Sequence, residues 1–436
     1  MEIATASEDL VRDVIDARRR TLDLVADLDD EQLRGPHLAI VNPLLWEIGH
    51  VAWFQEYWVL RHALGEAPVR ADGDALWDSS AVAHDTRWNL PLPPRHETLR
   101  YMADVRARLL ARLGRPETRA PVVYFTRYAT FHEDMHGEAF AYTRQTLGYR
   151  APAFSDRREA APRSLSGPLP GDARVPGGEF VLGARADEPF VFDNEKWAHA
   201  VKLAPFAIAR APVTQSEFAA FIADDGYRRK DLWSEDGWRW REGAAAEHPA
   251  YWRRGRDGWE RRHFDRWKAF EPHRPVIHVS WFEAEAYCAW AKRRLPSEAE
   301  WEAAAAGEPD ASGRALSGRK RRFPWGDDAR TRDRANLDGS AQGCLDVAAL
   351  PDSDSAFGCR QMMGNVWEWT ATTFVPYPGF VPDAYRDYSQ PWFGTHKVLR
   401  GGCWATRSRL LRNTWRNFYT PDRRDVWAGF RTCALE

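Results

Sequence analysis

Cysteine is scarce: the 436 residues contain five, Cys288, Cys344, Cys359, Cys403 and Cys433, an odd number with no Cys-x-x-Cys spacing. That pattern excludes a disulfide scaffold and a zinc ribbon, and it fits reduced thiols in a cytosol. Long apolar runs are missing as well. No stretch approaches the ~18 residues of a membrane span, and the N-terminus, MEIATASEDLVRD, is acidic without the apolar core of a secretory signal. There is also no excess of charge of either sign, since 61 Lys and Arg face 63 Asp and Glu for a formal net charge of −2. A polyanion-binding protein usually carries a basic stripe or tail. The expectation is therefore a cytoplasmic protein that acts on small molecules, with neither nucleic acid nor membrane as partner.

Tryptophan, in contrast, is abundant, with 22 residues. The length favours two domains over one. Residues 1–150 carry four segments of helical periodicity. The first opens at Ser7-Glu-Asp-Leu10 and continues through Val14, Ile15 and Val25. The second opens at Asn42-Pro43, with Asn42 as N-cap and Pro43 in the first helical position, and runs through Trp46, His50, Phe54 and Trp58. The third covers about 97–113 and stops at Gly114; the fourth covers about 122–147 and stops at Gly148. Four such segments predict a four-helix bundle. Residues 151–172, rich in Pro, Ser and Arg, read as a linker. Residues 173–436 show short strands, Gly/Pro turns, one helix at about 282–294 and no fixed-period repeat, which reads as an irregular α+β domain.

The sharpest chemical signal is His132-Glu-Asp-Met-His136 on the fourth helix. Residues four apart lie about 40° apart around a helix, so both imidazoles share a face and can ligate one metal ion. His50, in an apolar stretch of the second helix, can complete a set of three inside the bundle, and Gly49 beside it allows close helix approach. Glu133 and Glu138 are turned about 100° and about 200° away from the preceding histidine, so neither is aimed at the same ion. Three neutral imidazoles with open positions suit hydrolytic zinc or non-haem iron, and ligand type does not choose between them.

The segments Trp46-x-x-Gly49-His50-x-x-Trp53-Phe54 and His132-x-x-x-His136-x-Glu138 resemble the N-terminal DinB-like domain of ergothioneine-type sulfoxide synthases. The second half is similar to the formylglycine-generating-enzyme-like domain, a C-type-lectin-like fold. The matching segments include Val175-Pro-Gly-Gly-Glu-Phe180, Pro275-Val-Ile-His-Val-Ser-Trp281 and Arg294-Leu-Pro-Ser-Glu-Ala-Glu-Trp301, followed by Gly364-Asn-Val-Trp-Glu-Trp369, Leu399-Arg-Gly-Gly-Cys-Trp404 and Gly429-Phe-Arg431. That fold hosts several activities, so the pairing of both domains is the specific feature. Residues 1–150 would form the DinB-like bundle and 173–436 the second domain.

The resemblance implies iron(II) held by His50, His132 and His136, O2 as co-substrate, and bonding of a sulfur or selenium donor to the imidazole C2 of hercynine, Nα-trimethylhistidine. A proton donor is then needed, because reduction of dioxygen builds up negative charge. The family's tyrosine pair falls on Tyr385 and Tyr388 of Tyr385-Arg-Asp-Tyr388-Ser389, with Tyr385 the expected acid and Tyr377 a weaker candidate. The substrate-binding stretch falls on Asn417-Phe418-Tyr419-Thr-Pro-Asp-Arg423-Arg424. Asn417 and Phe418 are expected to meet hercynine, whose trimethylammonium is best held by aromatic faces and oxygen dipoles. Arg423 is expected to meet the other substrate; the alternative for Arg423 and Arg424 is ion pairing with Asp422 and Asp425.

Three departures bear on the donor. Enzymes of this group that use γ-glutamylcysteine carry Trp-Asp where this chain has Phe418-Tyr419, and Gln where it has Met135. Arg87 stands alone where they have an arginine-rich clamp. Tyrosine cannot replace the charge of aspartate, but it can stack on a sugar ring. The chain therefore leans towards the related selenoneine synthases, which couple hercynine to a selenosugar, with a thiol donor (cysteine or γ-glutamylcysteine) as the alternative. Two further readings compete. A zinc-dependent thiol transferase would employ the bundle alone, and a non-catalytic binding module would employ the aromatic second domain alone. Formylglycine generation needs a thiol pair, which Cys403 and Cys433 do not evidently form.

Overall fold

The computed structural model describes residues 2–114, 120–155, 166–329, 331 and 333–435. The chain divides into two compact units, Met1–Arg157 and Arg158–Glu436. Helices of the first unit are α1 (Glu2–Asp23), α2 (Asp30–Arg34), α3 (Leu44–Gln55), α4 (Gly73–Trp77), α5 (Arg95–Leu113) and α6 (Ala120–Leu147). Helices α1, α3, α5 and α6 pack together as a four-helix bundle. On α5 the buried residues are Thr98, Tyr101, Met102, Val105, Leu109 and Leu113, the three- and four-residue spacing that one helix face requires.

Three details differ from the sequence pattern. Helix α1 begins at Glu2, more than a turn before Ser7. The N-cap of α3 is Pro43, without a side-chain cap. Asn42 cannot cap because its amide is engaged elsewhere: it donates to Glu47 and accepts from Arg87. Beyond Gln55 the second helix widens into a π-helical stretch, Glu56–Ala63, a local insertion that hydrophobic periodicity does not register.

One arginine ties the bundle together. Arg18 of α1 is 1% exposed. It donates to Glu133 of α6 (2.7 Å), to the carbonyl of Met102 on α5 (2.7 Å) and to Gln55 Oε1 of α3 (3.2 Å). Thr21 adds a hydrogen bond to Glu133 at 2.9 Å. Of the expected linker, residues 156–165 lie outside the described residues. Its first residues go with the bundle: the Arg20 guanidinium lies 3.0 Å from the centre of the Phe154 ring, and Ser155 binds Asp23.

The second unit is built on two four-stranded sheets. One runs in the order Asp172–Val175, Phe206–Ala209, Cys433–Ala434, Arg293–Arg294. The other runs Asn417–Tyr419, Lys397–Arg400, Trp367–Thr373, Ala428–Gly429. The helix expected at 282–294 spans Trp281–Trp290, opened by a Ser280/Glu283 capping box. It does not reach 294, because Lys292 turns to a positive φ and Arg293–Arg294 is a strand. Buried ion pairs hold the loops to these sheets. Glu298 accepts from Arg400 (2.9 Å), Arg416 (2.7 and 3.0 Å) and the Tyr377 hydroxyl (3.2 Å). Glu368 accepts from Arg431 (2.6 and 2.7 Å) and from the Trp301 indole (2.7 Å). Trp301, Trp367, Trp369, Trp404 and Trp427 are fully buried, so much of the tryptophan is architecture. No helix among the described residues is long and apolar enough to cross a membrane.

Breaking a buried pair by removing one partner strands a charge. Glu133→Ala is therefore expected to cost the bundle about 3–5 kcal/mol. Arg18→Met with Glu133→Leu should recover most of that loss, both read from urea denaturation midpoints.

Candidate metal centre and aromatic site

In the bundle, Glu47, His50 and Phe54 lie on one face of α3 at spacings of three and four. The orphan carbonyls at the end of α4 fix this face, since Trp46 Nε1 donates to the Leu76 carbonyl (2.8 Å) and His50 Nδ1 bonds the Trp77 carbonyl (2.8 Å). Close approach of the two helices requires Gly49, because a Cβ there would fall 2.2 Å from the Trp77 indole. Opposite, Glu133 is held by Arg18 and Thr21, which turns its neighbour His132 towards α3.

His50, His132 and His136 thereby offer nitrogen atoms within 4.8 Å of one another. The Nε2 atoms of His132 and His136 are 3.2 Å apart, and one proton or one cation between them satisfies both lone pairs. His136 Nδ1 bonds Glu47, so the ring's Nε2 faces inward. The His132 ring stacks on Phe54 at 3.6 Å, and His50 stacks on Trp46 at 4.6 Å. Burial, then the neighbouring His136, pushes the His50 imidazole down to about 3, and the same causes push His132 well below its usual range. Burial by itself raises the Glu47 carboxyl, but the His136 ring and the Asn42 amide outweigh it and hold the group at about 2. These are two imidazoles kept neutral and a third aimed by a carboxylate. Such a donor set fits a divalent transition metal.

Glu47 was not singled out by sequence. Its signal was the three-residue spacing to His50 within Trp46-Glu47-Ile-Gly-His50, which puts both on one helix face. Met135 is half-buried on α6 between the two histidines. Arg87 is 8% exposed and engaged with protein groups: Asn42 Oδ1 (2.7 Å), the carbonyls of Val82 (3.1 Å) and Ser79 (3.5 Å), and the Trp46 ring at 4.0 Å.

In the second unit the edge strand Asn417–Tyr419 pairs with Lys397–Arg400, Phe418 opposite Val398. The Phe418 ring stacks on Phe374 at 4.1 Å and makes T-shaped contacts with Tyr388 (6.1 Å) and His396 (5.9 Å). Tyr388 in turn stacks on Phe192 at 4.6 Å, and burial pushes its phenol far above the usual range, so it stays protonated. The adjoining Ser389 donates to Asp193 and accepts from Asn194 (3.0 Å), which pins the tyrosine loop to the segment Asp193–Glu195. Tyr385 is half-buried at the start of this turn and takes the Tyr388 amide on its carbonyl (3.3 Å). Asn417 Oδ1 accepts from the Phe418 amide (2.8 Å). Arg423 lies 5.1 Å from the Tyr419 ring centre and pairs with Asp425 through two bonds (2.6 and 2.8 Å). Arg424 pairs with Glu283 instead of a neighbouring aspartate. Tyr377 is a core residue, its hydroxyl on Glu298. All five cysteines are buried free thiols.

The profile of the sulfatase-modifying factor enzyme 1-like domain matches residues 157–435, and that of the DinB superfamily matches residues 14–140. A hercynine oxygenase of Mycolicibacterium thermoresistibile is 41% identical over 97% of this chain and 94% of its own. One from Mycolicibacterium smegmatis is 39% identical over 98% of each. A formylglycine-generating enzyme of Streptomyces coelicolor is 33% identical, over 66% of this chain and 96% of its own.

Two outcomes follow for the centre. Glu47→Gln should weaken metal binding about 10- to 100-fold, and His132→Ala should abolish tight binding, both read by metal titration. Because folding keeps His50 and His132 neutral, the unfolded chain takes up protons below about pH 6.5 that the folded bundle does not. Stability conferred above that pH is lost as pH falls towards about 3, where His50 titrates in the folded state. The melting temperature of chelator-treated protein should fall between about pH 7 and about pH 5, and less steeply in His132→Phe.

Proposed function

The chain belongs to the hercynine oxygenase family, a DinB-superfamily bundle ahead of a sulfatase-modifying factor domain, and on that premise we propose that it is an iron(II)- and O2-dependent synthase joining a chalcogen donor to C2 of the hercynine imidazole. The convergence of His50, His132 and His136, in a chain similar to hercynine oxygenases along nearly all its length, carries this reading. Iron(II) held there supplies the redox chemistry that lets dioxygen oxidise the donor and the imidazole together. The C2–H and chalcogen–H bonds break and the C2–chalcogen bond forms. One O2 either leaves as water with the second oxygen on the chalcogen, or leaves as hydrogen peroxide with the chalcogen unoxidised.

The residues have distinct tasks. The three imidazoles bind the metal as neutral donors, and Glu47 orients His136. Phe418 presents a π face for the trimethylammonium of hercynine, with the Asn417 carbonyl oxygen beside its strand. Tyr385 is the proton donor, with Tyr388 as its neighbour three residues on in the same turn. Met135 borders the substrates next to the third histidine.

The donor is a selenosugar, giving selenoneine. Support comes from the aromatic ring of Tyr419 and from Arg423, whose charge is already matched by Asp425. An arginine whose charge is already matched favours a neutral polyhydroxy donor over γ-glutamylcysteine. The buried free thiols of Cys403 and Cys433 offer no accessible pair for formylglycine chemistry.

Product mass is the decisive measurement. Iron-loaded protein with hercynine under air should give a C2–Se adduct fastest with a selenosugar, compared with a thiosugar, cysteine and γ-glutamylcysteine. Faster turnover with γ-glutamylcysteine overturns the donor assignment, and oxygen-independent turnover with zinc overturns the synthase reading. Tyr385→Phe should lower kcat about 100-fold or more with metal affinity unchanged.

A further inference from the structure

We infer that Arg87 is a positioning residue of the metal centre that sets the orientation of two of its three imidazoles through two separate routes. The inference rests on the reading that these imidazoles hold a cation, not on the identity of the substrates.

The first route is a chain of hydrogen bonds with a fixed direction. A guanidinium has donors and no acceptor. Arg87 Nη1 lies 2.7 Å from the Asn42 side-chain oxygen, so the carbonyl end of that amide must face the arginine. The amide nitrogen is then left for Glu47, to which it donates. The second carboxylate oxygen of Glu47 accepts from His136 Nδ1. Every link is determined by the one before it. An arginine that can only donate turns the asparagine, and the asparagine amide then donates to Glu47. Glu47 bonds His136 at Nδ1, which leaves Nε2 as the nitrogen that faces a cation. With a side chain lacking donors at 87, Asn42 can flip its amide, present oxygen to the carboxylate, and release Glu47 and the ring orientation of His136.

The second route is a stack. The Arg87 guanidinium carbon is 4.0 Å from the centre of the Trp46 ring, and Trp46 lies 4.6 Å from the His50 ring at an interplanar angle of 11°. The indole is held by its Nε1 bond to the Leu76 carbonyl, and His50 by its bond to the next carbonyl, Trp77. Arg87 itself is anchored by the carbonyls of Val82 and Ser79 just beyond α4. Residues 76–87 therefore form one clamp around the α3 face that carries Glu47 and His50. This differs from a direct role for Arg87 in gripping the donor substrate, and the two roles separate experimentally.

The experiment uses the full-length protein with cobalt(II) as probe, reading affinity and the d–d absorption bands, with circular dichroism to establish folding. Arg87→Met should weaken cobalt binding about 10-fold and shift the bands. Asn42→Leu, at a half-buried position, should do the same, and the double variant should lose little more, because both act in one chain. Arg87→Lys, which still only donates but cannot stack as a plane, should restore part of the affinity. Wild-type affinity and bands in folded Arg87→Met and Asn42→Leu, with only the donor KM raised, overturn the inference. Absence of cobalt binding by the wild-type protein overturns it together with the metal reading. Normal cobalt effects without turnover of hercynine leave the inference standing and overturn the proposed reaction alone.

Discussion

The buried ion pair between Arg18 and Glu133 is the constraint on which the helical half depends. It joins one residue from each long helix at a point with almost no solvent access. A guanidinium so buried is tolerable only because a carboxylate, a carbonyl and an amide oxygen all point at it. Satisfying those donors together leaves little freedom in how α6 is turned about its axis. Since Glu133 directly follows His132, that rotation also decides where both histidines of α6 point. Bundle stability and metal geometry are thus the same fact seen from two sides of one helix.

A second layer refines what the first makes possible. His50 and His136 each have their outer nitrogen engaged, by the Trp77 carbonyl and by Glu47. Imidazoles fixed in this way present their inner lone pairs without reorganisation when a cation arrives. Neutral ligands would leave the net charge of a bound divalent ion undiminished. Gly49 belongs to the same device. Its missing side chain lets Trp77 approach closely enough for the carbonyl to reach His50.

The second unit reaches order by other means. Its sheets are short, and buried arginine–glutamate pairs add to the apolar cluster packed on them. One consequence is local to the aromatic site. Arg416, held by Glu298 and by the carbonyls of Asn194 and Val375, immediately precedes Asn417 and Phe418. The strand presenting those side chains is therefore anchored at a buried charge, while Ser389 anchors the tyrosine loop to Asp193. The half-buried aromatic side chains of this region thus stand on rigid supports.

Much of this was legible in the linear chain. The helical periodicity, the four-residue spacing of His132 and His136, and the turn-rich second half follow from local chemistry. A helix imposes its period on any residues that form it, and glycine and proline act where they stand. What the chain could not reveal is every feature that depends on a partner far away in sequence. Asn42 looks like a helix cap until Arg87, 45 residues on, claims its oxygen. Glu133 reads only as an acid turned away from the metal until Arg18, 115 residues earlier, claims it. Glu47 becomes a ligand-orienting group only because His136 arrives 89 residues later. Spacing along one helix determined which histidines share a face. The approach of other helices decided which polar groups meet those histidines, because a hydrogen bond acts over about 3 Å and is blind to sequence distance.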